Sequence, residues 1–363
     1  MAMAYKQKLR RSKQRKAPPP KEIPPLCPPT PQRASFVEQK KSVDLVDRTD
    51  RPAIRFVRVE DRLIKVPEGL FAQMSGRIRD SLGFTSATGG GSTPERPIFL
   101  RGHTSDQFEQ LLRAYNSYPS LDMRTMTLDN ILTIGELAVG YEMRILVEWL
   151  RPCLHILVLD HNTPLRTAGS RVYQRMLWLA MCLRSWKIYT SIVDKWISRL
   201  YWGQLPPIPA LLFADAHGIA HLLSHACYVY LVDVQKLLTT GKNINENGAL
   251  SPRQEMYIKS GYLSLKTTWS KLQRNALEFR SSGCVLHAQC VSVWRQRWKA
   301  FANAPCSTSD VDVLKRLSFM EDSLREDVVL DRCMAPSCKA LALGAIKRRR
   351  NEMALELHHH FDL

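Results

Sequence analysis

The sequence has no long apolar run. Its most apolar-rich stretch, residues 149–159, is interrupted by Arg151, Pro152 and His155 and is too short to cross a bilayer. No apolar segment follows the basic beginning of the chain, so a secretory signal is not expected. The nine cysteines form no disulfide framework: the number is odd, and Cys153, Cys182 and Cys227 fall inside helical patterns. Reduced thiols in the nucleus or cytoplasm are the expectation. Catalytic motifs are missing too, with no GxSxG, no HExxH and no EF-hand spacing. Residues 89–93 hold three glycines but lack the GxxxxGK[ST] spacing and lead into Pro94, so a flexible loop is expected rather than a phosphate cradle. These absences point to a non-enzymatic protein with no cofactor and no membrane partner.

Acidic residues are in short supply, 34 against 52 basic ones, for a net charge of +18. Residues 1–41 carry eleven Lys/Arg and two Glu, a net of +9, so half the excess sits in about a ninth of the chain. Lys6, Lys8, Arg10, Arg11, Lys13, Arg15 and Lys16 form a basic cluster, and eight prolines follow between Pro18 and Pro31. Residues 1–51 therefore read as a disordered, basic, Pro-rich tail. The cluster is either a solvated tail or a nuclear-import or nucleic-acid contact.

Ordered patterning begins near Ile54. The β-branched residues of 54–59 and 63–66, split by Glu60, Asp61 and Arg62, predict a hairpin. A helix over 67–82 is predicted from Pro67 and the recurrence of Phe71, Met74, Ile78 and Leu82. Residues 85–97 read as a loop and 98–100 as a short strand. Thr104 and Gln107 make a capping box before the stripe Phe108, Leu111, Leu112, Tyr115. Helices follow over about 125–139 and 141–158. This is a small α+β unit over residues 52–158. From 164 to 363 only helical stripes occur: 171–183, 186–202, 219–238, one from Ser251, 284–301, 310–328 and 335–357.

The order of these elements resembles a BTB/POZ domain, in the divergent form found in mushroom-type fungi. The resemblance is carried by Val59, Leu63 and Val66 in the hairpin, then Pro67, Leu70, Phe71 and Ser75. It continues through 97–100, Gly102, 108–112, Tyr115 and Tyr118 to the paired helices at 131–138 and 141–143. Residues 210–214, 218–228 and 284–298 and the closing Phe361 are similar to the helical extension of those proteins. The resemblance implies a domain for self-association or partner recruitment, and families sharing the fold dock on cullin-type ubiquitin ligases or transcriptional corepressors. It also implies a dimer face on an N-terminal helix, here Leu70, Phe71 and Met74, which could equally pack into their own domain. The alternative function is a nuclear regulator that associates with nucleic acid through its basic tail.

One constellation has metal-ligand chemistry. Cys284, His287 and Cys290, with Cys333 or Cys338 downstream, could supply the four thiolate and imidazole ligands of a zinc tetrahedron. Against this, 287, 290, 291, 294, 298 and 301 form one helical stripe with Trp294 and Trp298, and core packing is the preferred reading. Asp310 and Asp312 are expected to cap a helix. The three histidines at 358–360 and the basic run at 347–350 are expected to be solvated.

Overall fold

The computed structural model describes residues 54–83, 91–159, 164–241, 250–305 and 308–363. The tail expected over 1–51 lies outside them.

Two strands, β1 (Ile54–Val59) and β2 (Arg62–Pro67), pair antiparallel with Arg58 opposite Leu63. Glu60 makes the turn between them with φ of 52°. Two short helices follow, α1 (Glu68–Ala72) and α2 (Gly76–Ser81). The single helix predicted over 67–82 is therefore broken. Ser75 caps a new start, its side chain accepting the Ile78 N–H. Strand β3 (Ile98–Leu100) then runs parallel to β1 on its other side, giving the order β2-β1-β3. Residues 91–97 are tied to this sheet: Phe56 N–H donates to the Gly91 carbonyl at 2.8 Å, and Gly91 takes φ of +81° with no room for a Cβ beside Ile98.

Three longer helices complete the first part: α3 (Ser105–Ser117), α4 (Leu128–Gly140) and α5 (Arg144–Leu159). The capping box at Thr104 and Gln107 is formed as the sequence predicts. Glu60 adds a second anchor there, accepting the Ser105 N–H at 2.9 Å and its hydroxyl at 2.7 Å. The period-2 alternation of the strands puts Val57, Val59, Val66, Ile98 and Leu100 on one buried face. That face closes on Phe108 and Leu111 of α3.

The remaining elements are helices: α6 (Ser170–Cys182), α7 (Trp186–Tyr201), α8 (Pro207–Ala216), α9 (Ala220–Thr239) and α10 (Pro252–Arg274), the last opened by a capping box at Ser251 and Gln254. Then come α11 (His287–Ala302), α12 (Val313–Arg325), α13 (Val328–Cys333), α14 (Pro336–Leu355) and α15 (Leu357–His360). The described residues are thus mostly helical with a small three-stranded sheet, compatible with an α+β protein. No helix among the described residues is long and apolar enough to cross a membrane.

Two hydrophobic cores meet on α4 and α5. Ile134, Leu137 and Ala138 face the first core, under the sheet, while Ile131 and Leu132 on the same helix belong to the second, larger core. On α5, Leu146 serves the first and Leu150, Leu154 and Leu157 serve the second. Gly135 allows this close approach, since a Cβ there would lie 2.8 Å from Leu150 Cδ2. Arg175 of α6 reinforces the junction, donating to both oxygens of Glu136 on α4 at 2.7 and 2.9 Å and to the Thr133 hydroxyl at 2.9 Å. A planar guanidinium suits such a paired contact.

The C-terminus is docked, correcting the expectation of a solvated end at 358–360. Leu357 and Phe361 are fully buried, and Ser264 hydrogen-bonds His360 Nδ1 at 2.8 Å. The basic run divides: Lys347 and Arg348 are exposed, whereas Arg350 donates to the Ser318 hydroxyl at 3.0 Å and pairs with Glu321 at 3.3 Å.

Candidate functional site

Leu70, Phe71 and Met74, expected as a dimer face, are instead sealed in the core beneath the sheet, each at most 3 % exposed. The reason is local. Pro67 turns the chain off β2 into α1, which enters the same core as Phe108 and Leu111, while Ile78 and Leu82 after the break are only partly buried against it. These three residues therefore offer no surface.

The apolar surface lies on the opposite side of the same unit. The strands alternate, so the face turned away from the core carries Ile54, Phe56, Arg58, Leu63, Lys65 and Phe99. Ile54, Leu63 and Phe99 are 51 %, 41 % and 59 % exposed. Leu63, Arg58 and Phe99 stand in one row across the three strands, with the Arg58 guanidinium 5.8 Å from the centre of the Phe99 ring. No acidic side chain lies on this face of the strands, and Arg101 beyond β3 is also exposed. The β-branched composition of 54–59 and 63–66 predicts the hairpin, but not which large apolar side chains stay in water.

The Cys/His constellation converges. Cys284 ends the loop before α11, and its carbonyl accepts the His287 N–H at 3.3 Å, so a tight turn sets the two side by side. His287 is the first residue of α11 and Cys290 lies one turn on. Cys338 arrives from the first turn of α14. The sulfurs of Cys284, Cys290 and Cys338 all lie within 4.8 Å of one another, with 3.9 Å between those of Cys284 and Cys290. His287 Nδ1 is 3.6 Å from the Cys338 sulfur. Cys333 is exposed and stands outside the group, so Cys338 is the downstream partner. The stripe Cys290, Trp294 and Trp298 is buried. The sulfur of Cys290, however, faces other sulfurs and accepts the Ala335 N–H at 3.4 Å. Burial pushes the Cys290 thiol up, yet that N–H and the neighbouring thiols outweigh it and hold it below the ordinary range. Burial pushes Cys338 up to about 11.

A third grouping of polar side chains was not legible in the sequence. The Tyr201 hydroxyl meets His225 Nδ1 at 2.8 Å, and Tyr228 donates to Asp312 Oδ1 at 2.8 Å while accepting the Leu314 N–H at 3.2 Å. Tyr201, Tyr228 and Asp312 border a cleft of about 440 Å³ that also meets Lys315 and Arg350. Burial, aided by the neighbouring His221, pushes His225 down to about 3, and burial raises Tyr228 well above its ordinary value. Asp312 is committed to structure: it caps α12 through the Lys315 N–H, as expected of it, at 3.3 Å. Asp310 does not cap; it pairs with Arg316 at 2.7 Å.

The basic cluster of Lys6 to Lys16 lies outside the described residues, as does 84–90 of the glycine-rich loop. No family model, curated protein or solved structure matches this chain.

Proposed function

We propose that this chain is a non-enzymatic adaptor whose first part, residues 54–158, works as a BTB/POZ-like docking unit for a protein partner. The observation that carries this reading is the outer face of the sheet, where Ile54, Leu63 and Phe99 are exposed beside Arg58 and Lys65. Exposing such a face costs free energy unless something covers it, and contiguous exposed apolar patches mark interaction surfaces. Aromatic residues and arginine are also the residue types enriched at interface cores. The order of elements supports the BTB-like reading: hairpin, a helical segment broken in two, a third strand, then three helices.

The charge of this face favours one kind of occupant. Arg58 and Lys65 on the face and Arg101 beside it are all basic, so a partner with apolar residues flanked by carboxylates is complementary. A second copy placed face to face would set these cations against their own kind. Recruitment of an acidic partner is therefore preferred over self-association through this surface.

Deleting 52–158 is a poor test, because it would strip Ile131, Leu132, Leu150 and Leu154 from the larger core. Point substitutions on the exposed face avoid this. Affinity purification of the full chain, set against Leu63→Asp and Phe99→Asp variants of unchanged thermal midpoint, should lose the same acidic partner with both. Retention of every partner by both variants would count against the reading.

A further inference from the structure

We propose that Cys284, His287, Cys290 and Cys338 form a structural zinc site that ties the loop before α11 to the starts of α11 and α14. The proposal is independent of the adaptor reading, which concerns the other end of the chain.

The distances carry it. A tetrahedral zinc with Zn–S bonds near 2.3 Å and a Zn–N bond near 2.0–2.1 Å places neighbouring sulfurs about 3.8 Å apart, and a sulfur and nitrogen about 3.6 Å apart. Cys284 and Cys290 stand 3.9 Å apart and His287 Nδ1 stands 3.6 Å from the Cys338 sulfur. The three sulfurs lie within 4.8 Å of one another, and His287 stands outside that group and meets it at Cys338. A single buried cysteine packs as a small hydrophobe, whereas three whose sulfurs lie within 4.8 Å of one another also present a donor set for a soft metal. Separated by as many as 54 residues, they come from three different segments, the loop, α11 and α14, so local sequence does not force the convergence.

The donor set selects the metal. Soft thiolates with one imidazole, in a closed four-ligand set, suit zinc in a structural role. Calcium and magnesium require oxygen ligands. Binding releases the three thiol protons and leaves one net negative charge on the centre. Two features of the fold offset that charge. The positive ends of α11 and α14 both point at the group, and the Ala335 N–H already donates to the Cys290 sulfur at 3.4 Å. Cys290 and Cys338 are buried, which shields the centre from competing ligands.

The test is metal analysis of the full chain purified under reducing conditions. About one zinc per chain is expected. Cobalt substituted for it should show the visible absorption of a tetrahedral thiolate site. Cys290→Ser and Cys338→Ser should lose the metal, Cys333→Ser should keep it, and His287→Ala should bind at least tenfold more weakly. Should the cysteine variants fail to fold, the unaltered chain decides: a chelator should release the zinc, expose three further thiols to a thiol reagent and lower the thermal midpoint, and added zinc should reverse all three. A chain that neither carries zinc nor binds it when added under reducing conditions overturns the proposal. So does full retention of zinc in Cys338→Ser, or a disulfide joining Cys284 and Cys290 in the freshly isolated protein. Unchanged affinity in His287→Ala would remove that residue from the ligand set.

Discussion

Phe361 packs against the bare backbone of Gly261. A Cβ built on Gly261 would lie 2.1 Å from Phe361 Cε1, far inside van der Waals contact. The glycine sits in the middle of α10, where alanine would ordinarily be worth about 1 kcal/mol more than glycine. The close approach decides the position instead. It lets the last residues of the chain seal the space beside α9 and α10.

Gly261→Ala should therefore destabilise the protein despite its better helix propensity. Overpacking costs about 1–3 kcal/mol, more than the propensity gain. Phe361→Ala should cost about 3–5 kcal/mol through the cavity it leaves. In the Phe361→Ala background the penalty of Gly261→Ala should vanish, because the ring it collides with is gone. Urea denaturation of the four proteins checks this. An unchanged penalty in the double variant would show that the two residues are not coupled.

His225 gives the fold a pH dependence. Burial holds its imidazole at about 3 when folded, against about 6.5 when unfolded. The unfolded chain then binds the extra proton first. This contribution to stability is complete above pH ~6.5 and is lost as pH falls from there toward 3. At pH 5.5 the loss is about 1.4 kcal/mol. A His225→Gln variant should lose stability less steeply over this range than the native protein. Identical slopes for the two would refute the assignment. The Cys/His centre responds to pH alike in both proteins, so the difference between the two slopes reports His225.

The basic tail is separable from the docking surface. Removing residues 1–41 takes away +9 of the +18 charge. Retention on a polyanion column, which depends steeply on salt through counterion release, should fall on deletion. The partner captured through the sheet face should stay. Loss of that partner would favour the tail as the functional element, and the nucleic-acid reading with it.

Much of the fold is legible in the sequence because its signals are local. Thr104 with Gln107 and Ser251 with Gln254 mark two helix starts through side chains that cap the backbone within one turn. The β-branched runs at 54–59 and 63–66, split by Glu60, Asp61 and Arg62, mark the hairpin. Two further boundaries carry local signals. Ser75 followed by Gly76 starts a second helix, and Asp327 caps α13 by accepting the Leu330 N–H at 2.9 Å. What spacing could not reveal depends on distant packing. Cys333 and Cys338 are equally plausible on paper. Only the end of α13 and the turn into α14 leave one exposed and bring the other to Cys290. The burial of Phe361 and the exposure of Phe99 are likewise tertiary facts, invisible to any pattern along the chain.

The most direct test of the docking account is a titration. The captured partner, or its acidic segment, is measured by calorimetry against the full chain and against Phe99→Asp. Truncation of a central aromatic anchor costs about 2 kcal/mol or more, so Kd should rise at least about thirtyfold, with the thermal midpoint unchanged. Weakening of the native complex by added salt should accompany it, since Arg58 and Lys65 flank the anchor. Equal affinity for both proteins would contradict the account and move the search for the docking surface into the helical half.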